Sequence, residues 1–244
     1  MRTQRVYTDQ PLQDGAEITL EEAPSHHLHH VLRLQAGDSI NLFNNSGAEY
    51  TATLGEMGKQ GVTATLRKLV HEEPEAKLAI HLLIGISRGE RMDFALQKAT
   101  ELGVTRITPV FTKRCVVKLN EKKQASRMEH WQKIIINACE QSGRCRLPLL
   151  DIPMEIGSAV MAHHEGSALL LDHRIDRPLS ALKKPKGMVT ILVGPEGGLS
   201  SEERKLAKSQ GYTGIRLGPR VMRTETAPLA AIAAIQTLWG DFAG

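Results

Sequence analysis

Apolar and polar positions alternate in short runs at the start of the chain. EITL (17–20), DSINLFNN (38–45), AEYTATL (48–54) and GVTATLRKL (61–69) have the two-residue period of half-buried strands. Turn signals at Gly15, Gly37-Asp38, Asn45-Ser46-Gly47 and Gly58 to Gly61 separate them. The pattern predicts a small β-barrel over 1–72, interrupted by one short helix from Ser25 to about Leu34. HEEPEAK (71–77) is charged and contains Pro74, so a linker is expected there.

The period then changes. LAIHLLIG (78–85), ITPVF (107–111), SALLLD (167–172), MVTILVG (188–194) and TGIRLG (213–218) are largely apolar and alternate with helical stretches. Strands of that kind belong to a mostly parallel sheet with helices on both faces. A helix over 90–102 sets Met92, Leu96, Ala99 and Leu102 on one face, opposite Asp93, Gln97 and Glu101, and Gly103 stops it. A helix over 124–142 repeats the scheme with Met128, Trp131, Ile135 and Cys139. The last helix, 226–239, is apolar nearly all round and belongs either in the core or under a second subunit. The expected division is 1–72 and 73–244.

Composition narrows the class. With 41% hydrophobic and 24% charged residues the chain is that of a soluble globular protein. No apolar run approaches the ~18 residues of a membrane span, and MRTQRVYTDQ lacks a secretory core, so a cytoplasmic location is expected. Cys115, Cys139 and Cys145 contain no Cys-x-x-Cys pair and indicate neither disulfides nor zinc. The net charge of +4 is unevenly spread. Residues 1–72 carry 6 Lys/Arg against 9 Asp/Glu, whereas 86–146 carry 13 against 6. That central stretch is either a phosphate-attracting face or a solvated helix surface laced with pairs such as Glu129 and Lys133. Nine aromatics in all argue against an extended base-stacking platform.

Two glycine turns carry the candidate chemistry. ILVGPEGGLSSEE (191–203) runs from a strand into a helix start, yet it is neither a P-loop nor a dinucleotide fingerprint. Glu196 would oppose a phosphate at the helix N-terminus, so a neutral or cationic ligand suits the turn better. The same residues also fit a plain tight connection, capped by Ser200 with Glu203 completing a capping box. LGPRVMRTETAP (217–228) repeats the strand-turn-helix context, with Pro228 in the first helical turn. Such turns at the ends of neighbouring parallel strands form a ligand crevice in open α/β sheets, and LLLDHR (169–174) offers a third edge.

GPEGGLSSEE and LGPRVMRTETA resemble the turns of the SPOUT methyltransferases, and among them the RsmE family, which methylates N3 of a uridine in small-subunit (16S) ribosomal RNA. The resemblance extends through SRGERMDFALQKATELGVTRITPVFTKRC (87–115), NACEQSGR (137–144) and the N-terminal SHHLHHVLRLQAGD, and covers nearly the whole chain. It implies a PUA-like RNA-binding β-barrel over 1–72, a trefoil-knotted α/β methyltransferase domain over 73–244, and a homodimer. It also implies S-adenosylmethionine held by Leu171, by Gly194, Glu196 and Gly197, and by Leu217, Gly218, Arg220, Val221, Met222, Thr226 and Ala227. Backbone groups would hold the adenine, with Leu217, Val221 and Met222 as walls.

Methyl transfer from a sulfonium needs chiefly in-line placement of the acceptor. The uracil N3 proton must also leave, and a nearby Arg would stabilise the imide anion. Arg223 and Arg220 are the candidates, with Glu225 as base or as the partner that orients the Arg; local ion pairing and helix-end charge are the alternative roles. The expected RNA contacts are Arg2, Arg5, Tyr7, Arg33, Arg88, Lys98, Lys113 and Arg114, which would position phosphates. His26 and His30 share a helical face, but no Cys or carboxylate pattern completes a metal site, and none is expected. Phe43-Asn44-Asn45-Ser46-Gly47 stands where relatives often carry Phe-Asp-Gly. The same turns would serve methylation of another RNA atom, including a ribose 2′-hydroxyl. The barrel and basic stretch alone would serve a non-catalytic assembly factor.

Overall fold

The computed structural model describes residues 3–58, 61–117, 121–162 and 166–243. The chain forms two compact units, Met1–Glu75 with Ile136–Leu147, and Ala76–Ile135 with Pro148–Gly244.

The first unit is built on five strands: β1 (Arg5–Tyr7), β2 (Glu17–Thr19), β3 (Ser39–Phe43), β4 (Ala48–Gly58) and β5 (Gly61–Glu72). They run in the order β1-β3-β4-β5-β2, antiparallel except for the β1–β3 pair. Register shifts along the β4–β5 hairpin bend the sheet. Alternate residues turn inward, so Val6, Ile40, Leu42, Ala52, Leu54, Val62 and Ala64 form one core with Leu20 and Leu28. Ala48 pairs with Glu72, which carries β5 two residues into the expected linker.

The short helix differs from expectation. It begins earlier, as α1 (Glu22–His26), because Pro24 lies in the first turn where its missing N–H costs nothing. It continues as a π-helical turn, His27–Val31, with Leu32 N donating to His27 O. Arg33 follows at φ +55°.

The second unit is a parallel seven-stranded sheet. Its strands are β6 (Ile80–Gly85), β7 (Arg106–Phe111), β8 (Leu149–Leu150), β9 (Met154–Glu155), β10 (Gly166–Leu171), β11 (Met188–Val193) and β12 (Thr213–Ile215). The order is β12-β10-β11-β6-β7-β8, and β9 also pairs with β7. The helices are α2 (Gly89–Glu101), α3 (Glu121–Ser142), α4 (Ile156–Met161), α5 (Ser201–Ser209) and α6 (Thr226–Trp239). Leu83, Leu170 and Leu192 on one sheet face pack with Ile156, Ala159 and Val160 of α4 and Ala207 of α5. After β12 the chain returns to the middle of the sheet, where α6 packs on α2, β6 and β11. Every residue of β6 is buried, as a strand covered on both faces requires. No helix among the described residues is long and apolar enough to cross a membrane.

Candidate functional site

Neighbouring strands β10, β11 and β12 end side by side, at Leu171, Val193 and Ile215. The turns after them enclose a cavity of about 410 Å³. That volume suits a small-molecule site, ~300–1,000 Å³.

The turn after β11 is rigid for identifiable reasons. Gly198 N donates to Pro195 O at 2.7 Å, with Gly198 at φ +66°, a conformation that favours glycine. It lies so close to the end of β6 that a side chain on Gly85 would run into the Pro195 ring. The expected capping box is present: Glu203 N donates to Ser200 Oγ at 3.2 Å and Ser200 N to Glu203 Oε2 at 2.6 Å. Glu203 Oε1 also accepts from Lys113 N at 2.7 Å, and Arg114 Nη1 donates to Gly197 O at 2.9 Å. The loop after β7 is thereby fixed on the glycine turn. Thr224 Oγ1 donates to Gly194 O at 2.8 Å and ties in the turn before α6, while Asp172 N donates to Ile215 O at 3.0 Å.

The acids of the site have distinct partners. Buried Asp172 faces Arg174 at 3.2 Å and Arg204 at 3.5 Å. Glu196 accepts from Arg88 N at 3.1 Å and meets Arg91 Nη1 at 3.4 Å. Burial opposes its ionisation, but the Glu196 and Arg88 backbone amides, the Arg91 charge and the Ser87 hydroxyl outweigh it and hold the carboxyl below the usual glutamate range. Glu225 has one oxygen 4.0 Å from Arg223 Nη1, whereas its Oε2 is buried without a hydrogen-bond partner among the described residues. An unmatched buried acceptor is costly until a donor or cation meets it. Arg91, Arg174, Arg204, Arg216, Arg220 and Arg223 line the cavity together with Asp172, Glu196 and Glu225, so the wall suits a ligand that carries both cationic and anionic groups, such as S-adenosylmethionine, and not a cation alone.

The structure brings most of the expected residues together. Leu171, Gly194, Glu196, Gly197, Leu217, Arg220, Val221, Met222, Arg223, Glu225 and Ala227 all line the cavity. Gly218 and Thr226 are not part of its wall. Val221 is 74% exposed and forms rim more than wall, and the Arg223 side chain is 79% exposed at the mouth. Sequence reasoning missed Arg91 and Arg204, which also line the cavity, and held Asp172, Arg174 and Thr224 only as members of the edges LLLDHR and LGPRVMRTETAP without singling them out. Asp172 could have been found as the first residue after β10; Arg204, inside a helix, carried no signal.

The expected RNA contacts divide. Arg88, Lys113 and Arg114 are exposed beside the cavity turns. Lys98 is tied to Glu101 at 2.7 Å along its own helix, and Arg33 is exposed in the first unit. Tyr7 is half-buried, its hydroxyl donating to Asp9 at 2.6 Å; burial and that carboxylate raise the hydroxyl above the ordinary tyrosine range. Arg2 lies outside the described residues. Arg5 requires correction, since it is 7% exposed and not at a surface. Its guanidinium meets Glu49 at 3.0 Å, the carbonyls of Cys139, Glu140 and Arg144, and the Cys145 sulfur, over the Phe43 ring. A cation that closes the carbonyl end of α3 has no donor left for phosphate. The His26 and His30 rings lie 4.7 Å apart, and among the described residues no group of three or more His, Cys, Asp or Glu is placed to hold a metal ion.

The sequence and fold have counterparts among known proteins. Residues 74–236 match a model described as an RNA methyltransferase domain, and 20–67 one described as an RNA methyltransferase PUA domain. The chain is 31% identical over 239 residues to the ribosomal RNA small subunit methyltransferase E of Buchnera aphidicola, covering 98% of this chain and 94% of the relative. It superposes with a TM-score of 0.91 on a ribosomal RNA small subunit methyltransferase E from Neisseria gonorrhoeae bound to S-adenosyl methionine, at 39% identity over 99% of this chain and all of that one. A Legionella pneumophila structure in complex with the cofactor SAM gives a TM-score of 0.95 at 38% identity, again over 99% and 100%.

Proposed function

Because this chain belongs to the ribosomal RNA small subunit methyltransferase E family, we propose that it transfers a methyl group from S-adenosylmethionine to N3 of a uridine in 16S ribosomal RNA. The observation that carries this reading is the cavity at the ends of β10, β11 and β12, lined by Glu225, whose Oε2 is buried without a hydrogen-bond partner among the described residues.

S-adenosylmethionine supplies an activated methyl group. The chain's own task is placement: Leu171, Leu217, Met222 and Ala227 offer apolar contacts, and the fixed backbone from Gly194 to Gly198 offers amides and carbonyls. Glu225 Oε2 takes the cationic end. Arg223 and Arg220, at the mouth, face the uracil and stabilise the anion left when N3 gives its proton to solvent at the open mouth, a gain of roughly 10²–10³ in rate by analogy with an oxyanion hole. The base reaches the cavity from an unpaired region or by flipping out of its stack.

In this reading residues 1–72 are the PUA-like RNA-binding domain and 73–244 the methyltransferase domain, and the protein works in the cytoplasm on the small subunit. A second copy covers the α2–α6 face. The support is exposed apolar surface there, at Phe94 and Leu238. A solution mass of twice 26.8 kDa is expected, and a monomeric mass at micromolar concentration contradicts the dimer.

The test is to incubate small subunits lacking the modification with the protein and methyl-labelled S-adenosylmethionine, then map the label. N3 of one uridine is expected; label on a ribose or a carbon refutes the atom assignment.

A further inference from the structure

The segment 172–187 joins parallel neighbours β10 and β11 with no α-helix, only the 3₁₀ turn Leu179–Ala181. Long connections without regular structure are uncommon in compact domains and mostly functional. Gly166 pairs with Met188 and Leu170 with Leu192, so the segment leaves at the cavity end of the sheet and regains the opposite end. At ~3.3 Å per strand residue that path is about 17 Å.

Cations follow this path. Arg174, Arg177, Lys183, Lys184 and Lys186 are all exposed. The one acid within 173–187 is Asp176, which Arg216 neutralises at 2.6 Å. Arg177, Lys183, Lys184 and Lys186 form no ion pair among the described residues. The backbone that presents them is held in place: Ile175 N donates to Asp172 O at 3.1 Å, Arg216 N to Arg177 O at 2.8 Å, and Leu179 is buried. Pro178 and Pro185 restrict it further. At its upper end His173 and Arg174 line the cavity itself.

We propose that 173–187 is a phosphate track that binds the RNA backbone beside the target nucleotide and leads it to the cavity. The proposal rests on the reading of this chain as an RNA methyltransferase. An acidic protein or a lipid surface would also meet the charge, but either needs apolar anchors, and no large apolar side chain within 173–187 is exposed. A fixed row of cations without such anchors is the chemistry of phosphate-backbone contact, which positions without reading sequence. This track lies outside the basic stretch 86–146.

The test compares K183Q/K184Q with an equal-charge control, K205Q/K208Q on α5. Binding of a 16S ribosomal RNA fragment is measured across salt concentrations, and methylation kinetics are measured on small subunits. Each lost phosphate contact lowers the slope of log K against log salt by about 0.7 to 0.9. The track variant is expected to lose about 1.4 to 1.8 of slope and to raise KM roughly tenfold with kcat unchanged. Calorimetric affinity for S-adenosylmethionine should stay as in the parent, which shows that the fold is intact. An unchanged slope, or an equal loss in the control, overturns the track. A parent protein that binds the RNA but never methylates it overturns the methyltransferase reading instead, and the slope still reports on the track.

Discussion

Thr224 donates its hydroxyl to the carbonyl of Gly194 at 2.8 Å, and this single bond joins the turn before α6 to the glycine turn after β11. Thr224→Val keeps the shape and removes the donor. A net hydrogen bond of about 1 kcal/mol predicts roughly fivefold weaker S-adenosylmethionine binding by calorimetry, restored by Thr224→Ser. Unchanged affinity in the Val variant would show that the two turns hold their places independently.

Glu203 closes the α5 capping box and also accepts from Lys113 N. Glu203→Ala removes the acceptor from the buried Ser200 amide of the cap and from the half-buried Lys113 amide. A loss of about 2–3 kcal/mol is expected from urea unfolding, more than a cap alone, which is worth about 1 kcal/mol.

Glu196 and Asp151 give the acid side of the pH profile. Burial opposes ionisation of Asp151, and the Arg106 and Thr108 side chains overcome it, so both carboxyls are held below their ordinary values. A carboxyl depressed on folding stabilises above its unfolded value, and that contribution is lost as pH falls through the folded value. The contribution of these two carboxyls should be level across pH 6 to 8 and fall below about pH 4.5, the region of an unfolded glutamate. Glu196→Gln should fall less steeply than the parent in acid, read by thermal unfolding at each pH.

Arg5 is a structural cation. Arg5→Met leaves Glu49 buried without its partner, and breaking a buried pair costs about 3–5 kcal/mol. Chemical unfolding should register that loss. A variant as stable as the parent would return Arg5 to the RNA surface.

Burial pushes the Cys145 thiol up to about 12 and the Cys139 thiol up to about 11. Thiolate is the reactive form, so both should resist disulfide reagents at pH 8 until the protein unfolds. Rapid native-state labelling of either would contradict their burial.

The elements with strong periodicity were legible. β6, β10 and β11 are apolar over most of their length because helices cover both faces, and α6 begins and ends where its composition changes. The capping box at Ser200 was legible because its chemistry is local. β8, β9 and α4 were not: β8 and β9 are two residues each, and the six residues of α4 make under two helical turns, too few to show a helical period. Nor does local pattern report which strands are neighbours, and so β11 between β10 and β6 had no signal. The packing of 136–147 with the first unit is equally silent in sequence. Arg5 shows the remaining limit: a charge in a short strand looks like surface, and only the distant Glu49 and the carbonyl end of α3 reveal that it is buried.

A crystal of this protein grown with S-adenosylmethionine tests the central claim most directly. The account predicts the donor lodged among Leu171, the Gly194–Gly198 turn and the stretch from Leu217 to Ala227, with a Glu225 oxygen within hydrogen-bond reach of its cationic end. Density for the donor anywhere else, or within those turns but with Glu225 Oε2 still unpartnered, would contradict it.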